Sequence, residues 1–402
     1  MNLFKKLLVF TFLFLIAISA NCWSLDAGVN NTISSILDVQ RYERAIHIMA
    51  MLILGFGFLM VFVKKYGRSA LTATFLLVSI SIPVYFLISS FNSTGDTKEL
   101  IEKFILAEFA AASLLISAGA VLGRLKMPQY LILGILFVVA YMINEWIVIN
   151  GATVLLPAGS FADTGGSIVI HAFGAIFGLS AAYFNTTIGE RDLLIESDAT
   201  SDRYSMLGSM VLWVFWPSFC SALVPSELIP ATIINVVLAL CGSTLAAYLI
   251  SVLKRGKISI ADIANASLAG GVAIGSTCDH ASPIAAIIIG VLAGCISTWG
   301  FAAIQSNLQR TFRVVDTCGV SNLHGFPGLL GGFSALVIVS NINVSYQITG
   351  IIITILLATI GGFIAGKVIS LFGRNPFPYN DESEFLDVES ENVYKNIETV
   401  NN

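Results

Sequence analysis

The chain has 402 residues, of which 56% are apolar and only 11% charged, with a mean hydropathy of +0.85. A soluble globular domain carries about 25% charged residues, so the expected solvent is a bilayer. The formal net charge of −4 says little about a surface that faces lipid, and no nucleic-acid partner is expected. Neither a GxxxxGK[ST] phosphate loop nor a GxSxG elbow occurs, so the chain does not read as an enzyme or as coupled to nucleotide hydrolysis.

At the start, Lys5 and Lys6 precede an apolar run from Leu7 to Ala20, with small residues at Ala20 and Cys22. This pattern predicts a signal peptide over 1–22, with a retained extra N-terminal span as the alternative, followed by an extracytoplasmic segment over 23–44. Apolar runs of about 20 residues, the length that crosses a bilayer core, then recur at 45–63, 69–91, 101–123, 128–149, 167–187, 205–225, 229–253, 258–275, 283–304, 320–340 and 347–373. The expected fold is an all-α polytopic membrane protein with eleven transmembrane helices.

Charge sets the expected orientation. If the first span runs inward, the cytoplasmic loops hold Lys64, Lys65, Arg68, Arg124, Lys126, Arg191, Arg203, Lys254, Arg255, Lys257, Arg310 and Arg313, against Arg41, Arg44, Lys98 and Lys103 outside. The positive-inside rule therefore predicts a mature N-terminus outside and a C-terminus in the cytoplasm, in a cell or inner plasma membrane. The tail over 375–402 holds seven acids from Asp381 to Glu398 against Lys395 alone; it reads as solvated, disordered chain that could take a cytoplasmic partner. Cys22, Cys220, Cys241, Cys278, Cys295 and Cys318 form no CxxC pair and read as small apolar residues rather than a metal or disulfide framework. No metal or other cofactor is expected.

One phrase occurs twice. "DTGGSIVIHAFG" begins at Asp163 and "DTCGVSNLHGFPG" at Asp316, and each places a His eight residues after its Asp. In the expected topology Asp163 opens the fifth span from outside and Asp316 the tenth from inside. Eight residues of helix cover about 12 Å, which carries both imidazoles toward the midplane of a core about 30 Å thick. An odd-numbered repeat inverts, so 45–187 is predicted to form a first five-helix repeat, 188–204 a cytoplasmic linker, 205–340 a second five-helix repeat and 341–374 an eleventh helix. Transport sites lie at the interface of such repeats. His171 and His324 are thus predicted to face each other across a central pathway, because paired ionisable groups at membrane depth mark function more often than packing.

Burial and mutual proximity should keep both rings neutral. A hydrogen bond shared between them leaves one donor and one acceptor for a small polar guest. Asp163 and Asp316 are placed to cap their helices, to serve the pathway, or both. His47 and His280 read as surface residues.

The stretches "GFGFLMVFVKKYGRSA", "EFAAASLLISAGAVLG", "GSIVIHAFGAIFGL", "VLWVFWPSFCSAL", "NASLAGGVAIG" and "DTCGVSNLHGFPGLLGG" resemble the rhesus (Rh) branch of the ammonium transporter superfamily over residues from about 40 to 372. The resemblance implies a homotrimer of eleven-helix protomers, each with its own apolar pore for ammonia. It puts the family's twin histidines on His171 and His324, its aromatic gate on Phe109 and Phe219, and its pathway-associated aspartates on Asp163 and Asp316. Glu145 and Asp163 are expected to draw ammonium into the outer vestibule, where it sheds a proton before ammonia passes. Where the related Amt branch has a Ser four residues after the second gate Phe, this chain has Leu223, which favours neutral passage over electrogenic uptake; Trp146 could rebuild an aromatic surface there. The alternatives are a channel for carbon dioxide or another small neutral gas, an electrogenic ammonium transporter, and a non-conducting membrane receptor that signals through its tail.

Overall fold

A computed structural model of the chain describes residues 32–385 apart from 90–96, 192, 194 and 383. The expected signal peptide and the end of the acidic tail lie outside the described residues, as do Asn30 and Asn92, which with Asn185 head Asn-x-Ser/Thr sequons, acceptors for glycans in a glycosylating host. Nearly everything described is helical. Helix α1 (Thr32–Ala50) continues through a π turn at Met51–Phe56 as far as Phe62, and is followed by α2 (Gly67–Ser89), α3 (Thr97–Val121) and α4 (Met127–Val148). A two-stranded ribbon, β1 (Ala152–Thr153) and β2 (Leu156–Pro157), leads to a π turn at Ser167–Ala172 and α5 (Phe173–Phe184). The second half runs α6 (Ala199–Cys220), α7 (Ile229–Arg255), α8 (Ile260–Ala266), α9 (Ala269–Ile274) and α10 (Pro283–Trp299), then a π turn at Gly300–Ile304 and α11 (Gln305–Phe312). A π turn at Ser321–Gly325 precedes α12 (Phe326–Ile338), and α13 (Val344–Ser370) closes the chain of long helices.

Local chemistry sets the boundaries. The Asp198 carboxylate accepts from the N–H groups of Thr200 and Ser201 at 2.9 Å, while the Ser201 hydroxyl accepts from the Asp198 N–H at 2.8 Å. This reciprocal cap starts α6. Helix α4 starts with Pro128 in its first turn and with Gln129 reaching back to the Lys126 N–H at 2.7 Å. Helix α7 ends on Lys254 and Arg255, cations placed against the negative end of the helix dipole.

Among the described residues, eight helices are long and apolar enough to cross a membrane. Three expected spans fall on elements of another kind. The stretch 205–225 lies on α6, which opens with the polar turn Ala199–Ser205; 258–275 is split into α8 and α9; and 320–340 opens with the polar Ser321, Asn322 and His324. Broken helices are tolerated at membrane depth where the backbone they free is buried in protein.

Burial sorts the helices into a centre and a rim. The apolar window of α3 is 89% buried and that of Ser167–Phe184 78%, whereas α2 and α13 are 33% buried and offer most of their apolar surface outward. The central pair approaches closely. The Ser113 hydroxyl donates to the Ile170 carbonyl and the Ser117 hydroxyl to the Gly174 carbonyl, both at 2.7 Å. A Cβ at Gly174 would stand 2.6 Å from the Ser113 carbonyl oxygen, so this crossing demands glycine.

The two copies of the repeated phrase meet opposite ends of α3. Leu106 and Phe109 line the same cavity as Asp163, while the carbonyls of Gly119 and Ala120 accept from the N–H groups of Cys318 and Thr317. Those contacts lie roughly 18 Å apart at 1.5 Å per residue.

The start of the acidic tail is packed, unlike the solvated chain its composition suggests. Tyr379 donates its N–H to the Gly123 carbonyl, and the buried Asp381 carboxylate accepts from the N–H groups of Arg68 and Ser69 at 2.9 Å. Asp381 therefore caps α2 from more than 300 residues away. Composition predicted disorder here because it counts charges without seeing the helix end that one of them satisfies. Asn185 is likewise buried, donating to the carbonyls of Ala181 and Gly366, and its sequon is not a surface one.

Candidate functional site

Both copies of the phrase fold the same way locally. Asp163 accepts from Ile168 N–H at 3.1 Å and Val169 N–H at 2.7 Å, and from the Ser276 hydroxyl. Asp316 accepts from Val320 N–H at 2.9 Å, Ser321 N–H at 3.0 Å and the Ser321 hydroxyl at 2.8 Å. Each carboxylate thus caps the first turn of the helix it opens. Burial raises the Asp163 carboxyl to about 6, with those hydrogen bonds acting against the rise. Asp316 is also raised by burial, opposed by its Ser321 and Val320 bonds and by Arg124.

Behind each cap comes a π turn. His171 N–H bonds back to the Gly166 carbonyl, five residues earlier, at 3.0 Å. Gly166 takes the left-handed conformation at φ 73°, which suits glycine and starts the widened turn. The second π turn, Ser321–Gly325, holds His324.

The two turns bring the imidazoles together. Nδ1 of His171 lies 3.2 Å from Nδ1 of His324, and the rings are near-parallel and meet edge to edge, with centroids 5.3 Å apart and an interplanar angle of 8°. They are 2% and 4% exposed. Nε2 of His171 is buried with no hydrogen-bond partner. Trp216 stacks on His171 at 5.5 Å and 18°, and Phe56 flanks His324 at 6.3 Å and 25°, so four rings form one column.

Two cavities flank this column. The larger, about 630 Å³, is lined by Phe109, Tyr141, Glu145, Asp163, Leu223 and His280, among others. The smaller, about 30 Å³, is lined by Phe56, Leu115, Ile116, Val320, Leu323 and His324; it has room for about one water. Between the larger cavity and His171 lie Phe109 and Phe219, with ring centroids 4.6 Å apart, and Phe219 in turn is 6.2 Å from His171. Neither cavity reaches His171 itself, so the aromatic pair and the histidines form the barrier between them.

Phe109, Phe219, His171 and His324 fall on this line. Phe109, Asp163 and Glu145 line the large cavity, where Tyr85 donates to Oε2 of Glu145 at 2.7 Å. His280, exposed as expected, lines it too. Trp146 is 58% exposed and does not line it. His47 is structural: its Nδ1 bonds the Ser218 hydroxyl at 2.9 Å and its ring stacks on Phe215. Trp216 and Phe56 are site residues that sequence reasoning missed. Trp216 could have been found three residues before Phe219, on the same helical face. Phe56 could not, since its span is apolar all round. Among the described residues no three His, Cys, Asp or Glu side chains gather as a metal site.

Chemically, the imidazole pair can offer one donor and one acceptor to a small polar molecule, whereas a hydrated cation would first meet two aromatic rings.

Comparison with known proteins concerns the chain as a whole. The model of the Ammonium Transporter Family matches residues 5–392. The ammonium transporter Rh type A of Bos taurus is 36% identical over 389 residues, covering 91% of this chain and 89% of the bovine one. The Rh type B protein of Mus musculus is 34% identical over 367 residues, covering 82% and 79%. Among solved structures, Nitrosomonas europaea Rh50, described as one of the Rhesus protein family of channels, superposes with a TM-score of 0.84 at 50% identity, over 90% of this chain and 97% of its own. A sensor Amt protein shares the fold at a TM-score of 0.74 and 19% identity.

Proposed function

The chain belongs to the Rh branch of the ammonium transporter family, and from that premise we propose that it is an ammonia channel that strips ammonium of a proton before conduction. One observation carries the reading: two buried imidazoles in mutual contact, sealed behind an aromatic pair.

Ammonium gathers in the large cavity, where the carboxylates of Glu145 and Asp163 favour a cation and the ring faces of Phe109 and Phe219 attract it at the threshold. Passage beyond them as an ion would cost many kcal/mol. The proton is left behind and ammonia goes on.

The histidine contact supplies the selectivity. A Nδ1–H···Nδ1 bond between neutral rings makes one ring the donor and the other the acceptor. The donor ring then has a bare Nε2, and the acceptor ring has Nε2–H. Ammonia can donate to the first and accept from the second. Ammonium has no lone pair for the Nε2–H, and carbon dioxide has no hydrogen for the bare nitrogen. The partnerless Nε2 of His171 favours ammonia over carbon dioxide for this reason. Leu223, on the cavity wall in place of a hydroxyl, favours electroneutral over electrogenic passage.

Further parts of the reading rest on the family and on loop charge. Eleven helices cross the membrane as two inverted sets of five and one more; three protomers assemble; the N-terminus lies outside and the Asp163 side of the pathway faces out. The membrane is the plasma membrane, and the end of the tail is free to take a cytoplasmic partner.

The test is stopped-flow measurement of internal pH in proteoliposomes after an ammonium gradient, with membrane current recorded separately. Alkalinisation faster than in empty liposomes without current supports the channel. A rate equal to empty liposomes overturns it, and sustained ammonium current moves the protein to the electrogenic class.

A further inference from the structure

Deprotonation of ammonium requires a group to receive the proton, and most polar groups of the large cavity are already engaged. The Asp163 carboxylate is held by two helix N–H groups and a hydroxyl. Glu145 is bonded by Tyr85. Tyr141 and Tyr346 also line the wall; no Lys or Arg does.

His280 differs from all of these. It lies on the cavity wall with a side chain 45% exposed, and among the described residues no hydrogen bond to its ring is found. Its Nε2 stands 3.7 Å from Oδ2 of Asp279, too far for a bond from a neutral ring but close enough for a charge to draw them together. Asp279 is held in place by the Thr164 hydroxyl at 3.0 Å and is only 10% exposed; its Oδ1 is buried without a partner. Thr164 follows Asp163 in the chain, so this pair is tied to the same loop that opens the pathway.

Resting on the ammonia-channel reading, we infer that His280, backed by Asp279, is the proton acceptor of this cavity and passes the proton to buffer outside the pore. One N–H bond of ammonium breaks and one forms on an imidazole nitrogen, giving ammonia and an imidazolium. The imidazolium then releases its proton to a buffer base, and no electrons change hands. Asp279 stabilises the charged intermediate, which also faces the carboxylates of Asp163 and Glu145 and no opposing cation. Exposure lets the buffer reach the ring, and histidine is the side chain suited to both halves of the transfer near neutral pH.

The experiment compares full-length wild type with His280→Gln and Asp279→Asn in proteoliposomes, measuring the ammonia-driven pH rate as an impermeant zwitterionic sulfonate buffer is raised outside. In weak buffer His280→Gln should be slower by about tenfold, the low end of what a positioned acid–base group contributes. Strong buffer should restore it to the wild-type rate, which also shows that the variant is folded. Asp279→Asn should be slowed less and restored in the same way. A His280→Gln rate equal to wild type in weak buffer overturns the inference, as does a deficit that no buffer relieves. Wild type no faster than empty liposomes removes the channel reading itself.

Discussion

Asp163 tests whether a buried carboxylate beside the pathway serves the fold or the flux. Asp163→Ala strands the N–H groups of Ile168 and Val169 and the hydroxyl of Ser276. Each stranded buried donor costs about 1–3 kcal/mol, although the hydroxyl can turn to another acceptor. The expected loss is about 2–5 kcal/mol, with the His171 turn set adrift from its start. Asp163→Asn should behave differently: the amide oxygen can take both N–H groups, while the amide NH2 donates to Ser276, so the loss is under about 1 kcal/mol. The assay pairs thermal unfolding of the purified protein, followed by Trp fluorescence, with ammonia flux in liposomes. The Asn variant should keep both stability and most of its flux, and the Ala variant should lose both. A stable Asn variant conducting at under about a tenth of the wild-type rate, a deficit of about 1.4 kcal/mol, would refute capping as the residue's main task and make its charge essential to flux rather than an aid to recruitment.

Replacing both His171 and His324 by Ala should widen the bore and raise passage of methylamine relative to ammonia, read as the ratio of the two pH rates; an unchanged ratio would return the pair to packing. Phe219→Ala removes one of two rings 4.6 Å apart, joining the large cavity to the histidine column; faster ammonia flux, or the onset of current, is the expected result in voltage-clamped membranes. Gly174→Val drives side-chain carbon into the Ser113 carbonyl and should abolish folded yield, judged by size-exclusion profile, where Gly174→Ala retains a remnant. Asp381→Ala uncaps α2 and should lower stability by about 1–2 kcal/mol with flux unaltered.

Much of this was legible because apolar runs and paired motifs are strong signals. The runs expected at 69–91, 128–149 and 229–253 lie within two residues of helices Gly67–Ser89, Met127–Val148 and Ile229–Arg255. The doubled phrase led to the 3.2 Å contact between residues 153 apart. What was hidden had no contrast to carry it. Phe56 is one apolar residue in an apolar helix, and neither the π turns nor the break between α8 and α9 leaves a mark in hydropathy. Asp381 looked like one acid among many, since its partner is a helix start at the far end of the chain. His280 was read as a bystander because nothing nearby in sequence places the loop after α9 against the cavity holding Asp163.

The near-parallel, edge-to-edge setting of the two imidazoles, each behind its own Asp-capped π turn, bears on rectification. A centre built from two equivalent halves, joined by a bond that can point either way by exchanging tautomers, has no forward sense. On the ammonia-channel reading, a molecule arriving from either side meets the same imidazole pair. Any preference for inflow or outflow must therefore come from the mouths, which are unlike: a wide acidic basin with an aromatic lid on one side, a slot the size of one water on the other. On that reading the concentration gradient sets the direction, and the centre sets only what travels along it.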